Sequence, residues 1–174
     1  MSNIKLTSLL PEGLFDKPSF ARTERVHAEM NKVDPKTILR KYKATNQTLH
    51  KKPNGLWYAF GNEWTEYVKS VGGGFDAQYN WYYTVDVKGC KMRKLNSEND
   101  IIEFSKQYTK FDGSKESAFH TFFVDWSIVA KDYDGIEVFP FPKKVMSEAK
   151  WLKDWDVSSG CVWNTSKVKL KFVG

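Results

Sequence analysis

Residues 81–88 alternate without interruption, with Trp81, Tyr83, Val85 and Val87 on one side and Tyr82, Thr84, Asp86 and Lys88 on the other. A period of two built from aromatic and β-branched residues specifies a half-buried strand. Such a strand needs a pairing partner and a layer that covers its apolar face. Gly89-Cys90 turns the chain, and 91–95 returns as the expected hairpin partner. Upstream, 19–32 reads as a helix capped by Ser19, with Phe20, Val26 and Met30 as its buried stripe, broken by Asp34-Pro35. Residues 37–44 read as a strand with Ile38, Arg40 and Tyr42 on one face. Pro53-Asn-Gly55 turns into a short strand at 56–60, and 62–71 is helical up to Gly72-Gly-Gly74.

Downstream, Ser97-Glu-Asn-Asp100 caps a helix over 101–108, and 115–130 is an aromatic-rich helical stretch. Asp134-Gly135 leads into a strand at 136–141. A short helix follows around 147–152, then a strand or loop at 155–163 and a closing strand at 167–172. About six short strands and four helices in mixed order make an α+β domain, two small packed sheets with peripheral helices, not a regular βαβ repeat.

A length of 174 residues is that of one domain, read here as a core over 37–174 with an N-terminal helical extension over 1–36. The mean hydropathy of -0.55 and the absence of a long apolar run argue against a membrane span. Residues 1–6 open no apolar leader, so the expected location is cytoplasmic, or host cytoplasm for a viral chain. Cys90 and Cys161 are too few for a disulfide scaffold or, alone, a structural zinc site.

The net charge of +6 is unevenly spread. Residues 36–52 hold six basic side chains and no acidic one, and 141–174 hold seven lysines against three acids. Such runs suit phosphate or acidic partners, and equally suit a solvated face. Lys41, Lys43, Lys51 and Lys52 are the candidate nucleic-acid contacts. Seven Trp, eight Tyr and twelve Phe can stack bases or fill a core.

Several chemistries lack their signature. Gly72-Gly-Gly74 has no following Lys-Ser/Thr, the three histidines stand far apart, no carboxylates cluster at metal-ligand spacing, and no Gly-x-Ser-x-Gly elbow occurs. What remains is an ordered series. It runs from the basic segment Ile38-Leu-Arg-Lys-Tyr42 through His50 and Gly55-Leu-Trp-Tyr-Ala-Phe60, which enters a helix. It continues with the strand at 82–87, Asp132-Tyr-Asp-Gly-Ile-Glu-Val138, and the Trp155 to Trp163 segment before a closing strand. This order resembles the ADP-ribosyltransferase fold over roughly residues 37–174.

In that family the first core strand carries an Arg or His, a second strand of the type Gly-x-Tyr-Phe-Ala/Ser enters a helix, and a late strand carries a catalytic Glu. The resemblance implies NAD as cofactor, Glu137 as the catalytic carboxylate, and Arg40 or His50 as the first-strand residue. It also implies that Trp57, Tyr58 and Phe60 are cofactor contacts. The family's Ser-Thr-Ser triplet is absent, and Gly135 stands where a Gln/Glu-x-Glu pair would begin. That departure counts against arginine as acceptor and leaves nucleic acid, another protein side chain or a small molecule. The chemistry is coherent, because a carboxylate beside the 2′-hydroxyl stabilises the positive charge that builds on ribose as nicotinamide leaves. Two other classes fit the same residues: a basic nucleic-acid-binding module without chemistry, and a viral or bacterial interaction protein with an exposed aromatic patch.

Overall fold

The computed structural model describes residues 17–74, 78–111, 122–142, 144, 145, 147 and 149–174. Ten strands form two sheets among them: β1 (Arg25–Glu29), β2 (Leu49–His50), β3 (Leu56–Phe60), β4 (Trp81–Asp86), β5 (Met92–Leu95), β6 (Thr109–Phe111), β7 (Phe122–Asp125), β8 (Gly135–Val138), β9 (Ser159–Val162) and β10 (Lys169–Phe172). Four α-helices accompany them: α1 (Pro35–Lys41), α2 (Glu63–Val71), α3 (Glu98–Tyr108) and α4 (Trp126–Asp132). The large sheet has the order β10-β4-β1-β3-β9-β8-β5, and the small one β2-β7-β6. The α+β class is therefore present.

Three expectations fall on β3, α2 and α3, and each forms within a few residues of its expected bounds. Their signals are local. Ser97 accepts the Asp100 amide at the start of α3, and Gly72 ends α2 with φ 74, a conformation costly to other residues.

The N-terminal third is the reverse of its expectation. The predicted helix over 19–32 contains strand β1, and the predicted strand over 37–44 is overlapped by helix α1. Asp34-Pro35 is not a breaker but a start: the Asp34 carboxylate caps α1 by accepting from the Lys36 and Thr37 amides at 3.0 and 3.2 Å, and proline occupies the first turn. Strand β1 lies between β4 and β3, so residues 25–29 belong to the centre of the sheet and not to an extension outside the core. Further on, β7 replaces helix over 122–125, and the rest of that expected stretch before 122, His120 included, lies outside the described residues.

The expected β4–β5 hairpin also gives way. Strand β5 pairs in parallel with β8, at the opposite end of the sheet from β4. Five strand spacings would be ~24 Å in a flat sheet, while the six residue steps from Asp86 to Met92 reach at most ~20 Å even fully extended. The sheet must curl. Its concave face gathers Leu56, Tyr58, Tyr83, Val85, Val162 and Met92 into one cluster, closed by Ile38 of α1. On the other face α3, α4 and a 3-10 turn (Lys150–Asp154) cover Leu95, Ile136, Val138 and Cys161.

Much of the aromatic content is spent here. Phe104, Trp126, Trp151 and Trp155 form a connected group with ring centroids 5.3–6.4 Å apart. Each buried indole N–H has a partner: Trp126 donates to the His50 carbonyl at 3.0 Å, and Trp151 to the Ser105 hydroxyl at 2.8 Å. Among the described residues no helix is long and apolar enough to cross a membrane.

Gly160 of β9 sits directly between Tyr58 of β3 and Glu137 of β8 in register. A Cβ there would lie 2.5 Å from the Tyr58 ring. Gly160→Ala is expected to cost about 1–3 kcal/mol through overpacking, read as a lower urea midpoint with an unchanged slope.

Candidate functional site

Strand β1 presents Arg25, His27 and Glu29 to the concave face, the same face as Tyr58 and Phe60 of β3. Arg25 and Tyr58 meet Glu137 there. The Tyr58 hydroxyl passes over Gly160 and donates to Glu137 Oε1 at 2.7 Å. The Arg25 guanidinium donates through Nε to Oε1 and through Nη2 to Oε2, the latter at 3.2 Å. Glu137 is 3% exposed. Both its oxygens are thus taken by charged or strong donors. The Tyr58 phenol is pushed well above its ordinary value, first by burial and then by the Glu137 charge.

Beyond this tie the two strands part. β1 and β3 pair only at Arg25–Phe60 and Val26–Ala59, while β1 stays paired with β4 through Glu29. His27 bridges the gap, its Nδ1–H donating to the Trp57 carbonyl at 2.7 Å. Its Nε2 lies 3.1 Å from Glu29 Oε1, so a protonated ring satisfies both contacts. The hydrogen bond from His27 is the largest cause that brings the Glu29 carboxyl down to about 2, with Lys41 Nζ at 3.4 Å adding its charge.

On the other side of this split lies a cleft of about 340 Å³. Its walls are Trp57, Trp64, Tyr79 and Trp155, and its polar groups include Lys52 and Asp156. The Trp57 and Trp155 rings meet edge to face at 4.8 Å, and Trp64 meets Tyr79 the same way at 5.9 Å. Lys52 Nζ stands 5.5 Å from the Trp57 ring centre. Asp156 is exposed in the loop before β9 and has φ 62, a left-handed conformation that Asp tolerates better than most residues. That loop is fixed by Glu63, whose carboxylate accepts the Ser158 amide at 2.7 Å. The Tyr67 phenol is raised first by desolvation and then by the nearby Asp156 charge.

Of the residues singled out in the sequence, Trp57, Tyr58 and Lys52 line this cleft. Phe60 does not. It is buried against Tyr58 and Phe139 under the Arg25 guanidinium. Glu137 is not among the lining residues; it is the buried hub of the Arg25–Tyr58 tie. Arg40 is on helix α1, exposed, and bonds Thr37. His50 is exposed on β2 in the small sheet. Neither stands on the strand beside β3, where Arg25 and His27 stand instead. Lys41 is paired with Glu29 and Lys51 with Asp154, while Lys43 is exposed and makes no ion pair among the described residues.

The sequence reading assigns no site role to Arg25, His27, Trp64, Tyr79 or Asp156, although His27, Trp64, Tyr79 and Asp156 line the cleft and Arg25 holds Glu137. The spacing Arg25-x-His27-x-Glu29 puts three polar residues on one face of a strand, but a helical reading hides it. Among the described residues no group of three or more His, Cys, Asp or Glu could hold a metal.

Two outcomes are expected. Glu137→Gln should cost about 2–3 kcal/mol in urea unfolding, less than the ~3–5 of a fully buried pair because Arg25 keeps access to water. A lowered Glu29 carboxyl stabilises the fold above the ordinary glutamate range, and that contribution is lost as pH falls through about 2. Glu29→Gln should therefore lower stability at pH 7 by on the order of 2–3 kcal/mol and flatten its decline below pH 4.5, followed by chemical unfolding across pH. No family model matches the sequence, and no curated protein or solved structure gives a significant match.

Proposed function

We propose that this protein is an NAD-dependent ADP-ribosyltransferase that holds the nicotinamide end of the dinucleotide in the aromatic cleft. The observation that carries the reading is the joining, in one cleft, of four aromatic walls, one exposed carboxylate and one lysine. The nicotinamide of NAD is a cationic ring. Aromatic faces attract a flat cation, and Asp156 adds opposite charge. The cleft stands at the lower end of the ~300–1,000 Å³ of small-molecule sites, enough for a ring and its ribose, with the phosphates toward Lys52.

The chemistry follows from that placement. Cleavage of the bond between ribose and nicotinamide returns the bonding electrons to the ring, which leaves neutral. The positive charge passes to the ribose, where a carboxylate stabilises it until a nucleophile attacks. Asp156, exposed at the cleft, is better placed for this than Glu137, whose oxygens are occupied by Arg25 and Tyr58. Glu137 then acts by holding Tyr58 and Arg25. The family resemblance supports the reading through the 56–60 strand alone, because its first-strand candidates Arg40 and His50 lie elsewhere and Arg25 and His27 precede the region it covers. A strand bearing Arg25 and His27 pairs with the Gly55-Leu-Trp-Tyr-Ala-Phe60 strand, which enters α2.

The test is nicotinamide release from NAD by the purified protein. Asp156→Asn is expected to lower release ~100-fold with an unchanged melting temperature, and Trp57→Ala to weaken NAD binding about tenfold. Full activity in Asp156→Asn, with loss in a folded Glu137→Gln, would return the role to Glu137. No release and no NAD binding in the parent would end the proposal in favour of a binding module.

A further inference from the structure

We infer that the surface leading into the cleft, along residues 43–52, is built to hold a single nucleic-acid strand. This names the acceptor class for the proposed transfer and rests on that reading only for the chemistry at the strand's end; the binding itself stands separately.

One stretch of chain joins two concave regions. At one end Thr45, Asn46 and Gln47 face Ser127 and Lys131 across a groove of about 540 Å³, with no acidic residue in its lining. At the other end Lys52 enters the aromatic cleft. Between them the chain is held in place at several points. The Gln47 amide donates to the Asn54 carbonyl at 2.7 Å and accepts the Asn54 amide at 3.0 Å. The Trp126 indole donates to the His50 carbonyl, and the Trp155 indole to that of Lys51 at 3.5 Å. Two core side chains thus hold a surface loop by its backbone. The loop presents the exposed His50 ring, which lies parallel to Phe123 at 9° with centroids 6.1 Å apart.

The charge along the path is positive. Lys43 and Lys131 are exposed and make no ion pair among the described residues, and no acid occurs between 36 and 52. Of the nearby acids, Asp125 is engaged by Lys110 and Ser127 and Asp154 by Lys51, while Asp132 beside Lys131 and Asp156 at the cleft are exposed and offset part of this charge. Cations, amides and hydroxyls in a groove, then a flat exposed ring, then a lysine at an aromatic cleft, supply in turn partners for phosphate, sugar and base. A flat ring offers stacking only to an unpaired base, which selects a single strand over a duplex. An acidic peptide would use the cations and leave the ring without a role.

The experiment is fluorescence anisotropy with a short labelled single-stranded DNA and RNA of mixed sequence, at low and at physiological salt, with poly-glutamate as competitor. Expected are binding that weakens at least about tenfold over that salt range and a further loss of about tenfold in Lys43→Glu/Lys131→Glu. His50→Ala should weaken binding without changing the salt slope. Lys169→Glu/Lys171→Glu, on edge strand β10 and outside the lining of both concave regions, should leave it unchanged. Three results would overturn the inference: no binding of either strand, an equal loss from the edge-strand pair, or displacement by poly-glutamate at matched charge. Nicotinamide release is measured apart, without nucleic acid. A protein that releases nicotinamide but binds no strand refutes this inference and keeps the cleft's chemistry. One that binds the strand as described but releases none supports this inference and removes the chemistry.

Discussion

The ion pair between Arg25 and Glu137 is the constraint on which the large sheet depends. The two residues stand on β1 and β8, with β3 and β9 between them. Three strand spacings in a flat sheet would be ~14 Å, too far for these side chains to meet across two intervening strands. They meet because the sheet curls, and Gly160 leaves the path clear for Tyr58 to join them. One carboxylate thereby ties three strands on the concave face. The divergence of β1 from β3 begins immediately after this tie, so the cleft opens beside the best-anchored part of the sheet.

The cleft depends in turn on a substitution of side chain for backbone. Where β1 and β3 separate, sheet hydrogen bonds are lost and the exposed backbone groups need other partners. His27 supplies one for the Trp57 carbonyl, and Glu29 and Lys41 hold His27 in position. The residue that closes the gap thus also fixes the main chain at Trp57, whose ring forms a wall of the site. Tryptophans serve both regions: Trp155 packs against Trp126 and Trp151 in the core while its edge meets Trp57 in the cleft.

Elements whose signals were local could be read from the sequence. The alternation around 81–86, the strand at 56–60 and the capped helix α3 each carry their own pattern. Strand β1 could not, because its inward positions are Arg25, His27 and Glu29, polar residues that are half-buried (Arg25) or buried (His27, Glu29) only because partners arrive from β8, β3 and α1. The neighbouring apolar residues then read as a helical stripe, and Met30, assigned to that stripe, is 52% exposed. Asp34-Pro35 has two meanings, stop or start, and only the cap geometry chooses. Glu137 stood out in sequence as a strand carboxylate, but its partner Arg25 lies 112 residues away and cannot be inferred from spacing. The parallel pairing of β5 was hidden for the same reason: a tight turn after a strand suggests a hairpin unless the sheet is known to curl.

The outermost strand of the large sheet, β10, carries Lys169 and Lys171 outward on alternate positions. A strand in that place leaves one row of amide and carbonyl groups without neighbours, which is an invitation to templated stacking of like chains. Two ammonium groups at every other residue make the approach of an identical border repulsive, and the repulsion is strongest at low ionic strength. The short length of β10, four residues, limits the row further. Colloidal behaviour is thereby written into a strand that takes no part in lining the cleft: a chain with 16% aromatic side chains has a border that disfavours fibrillar growth.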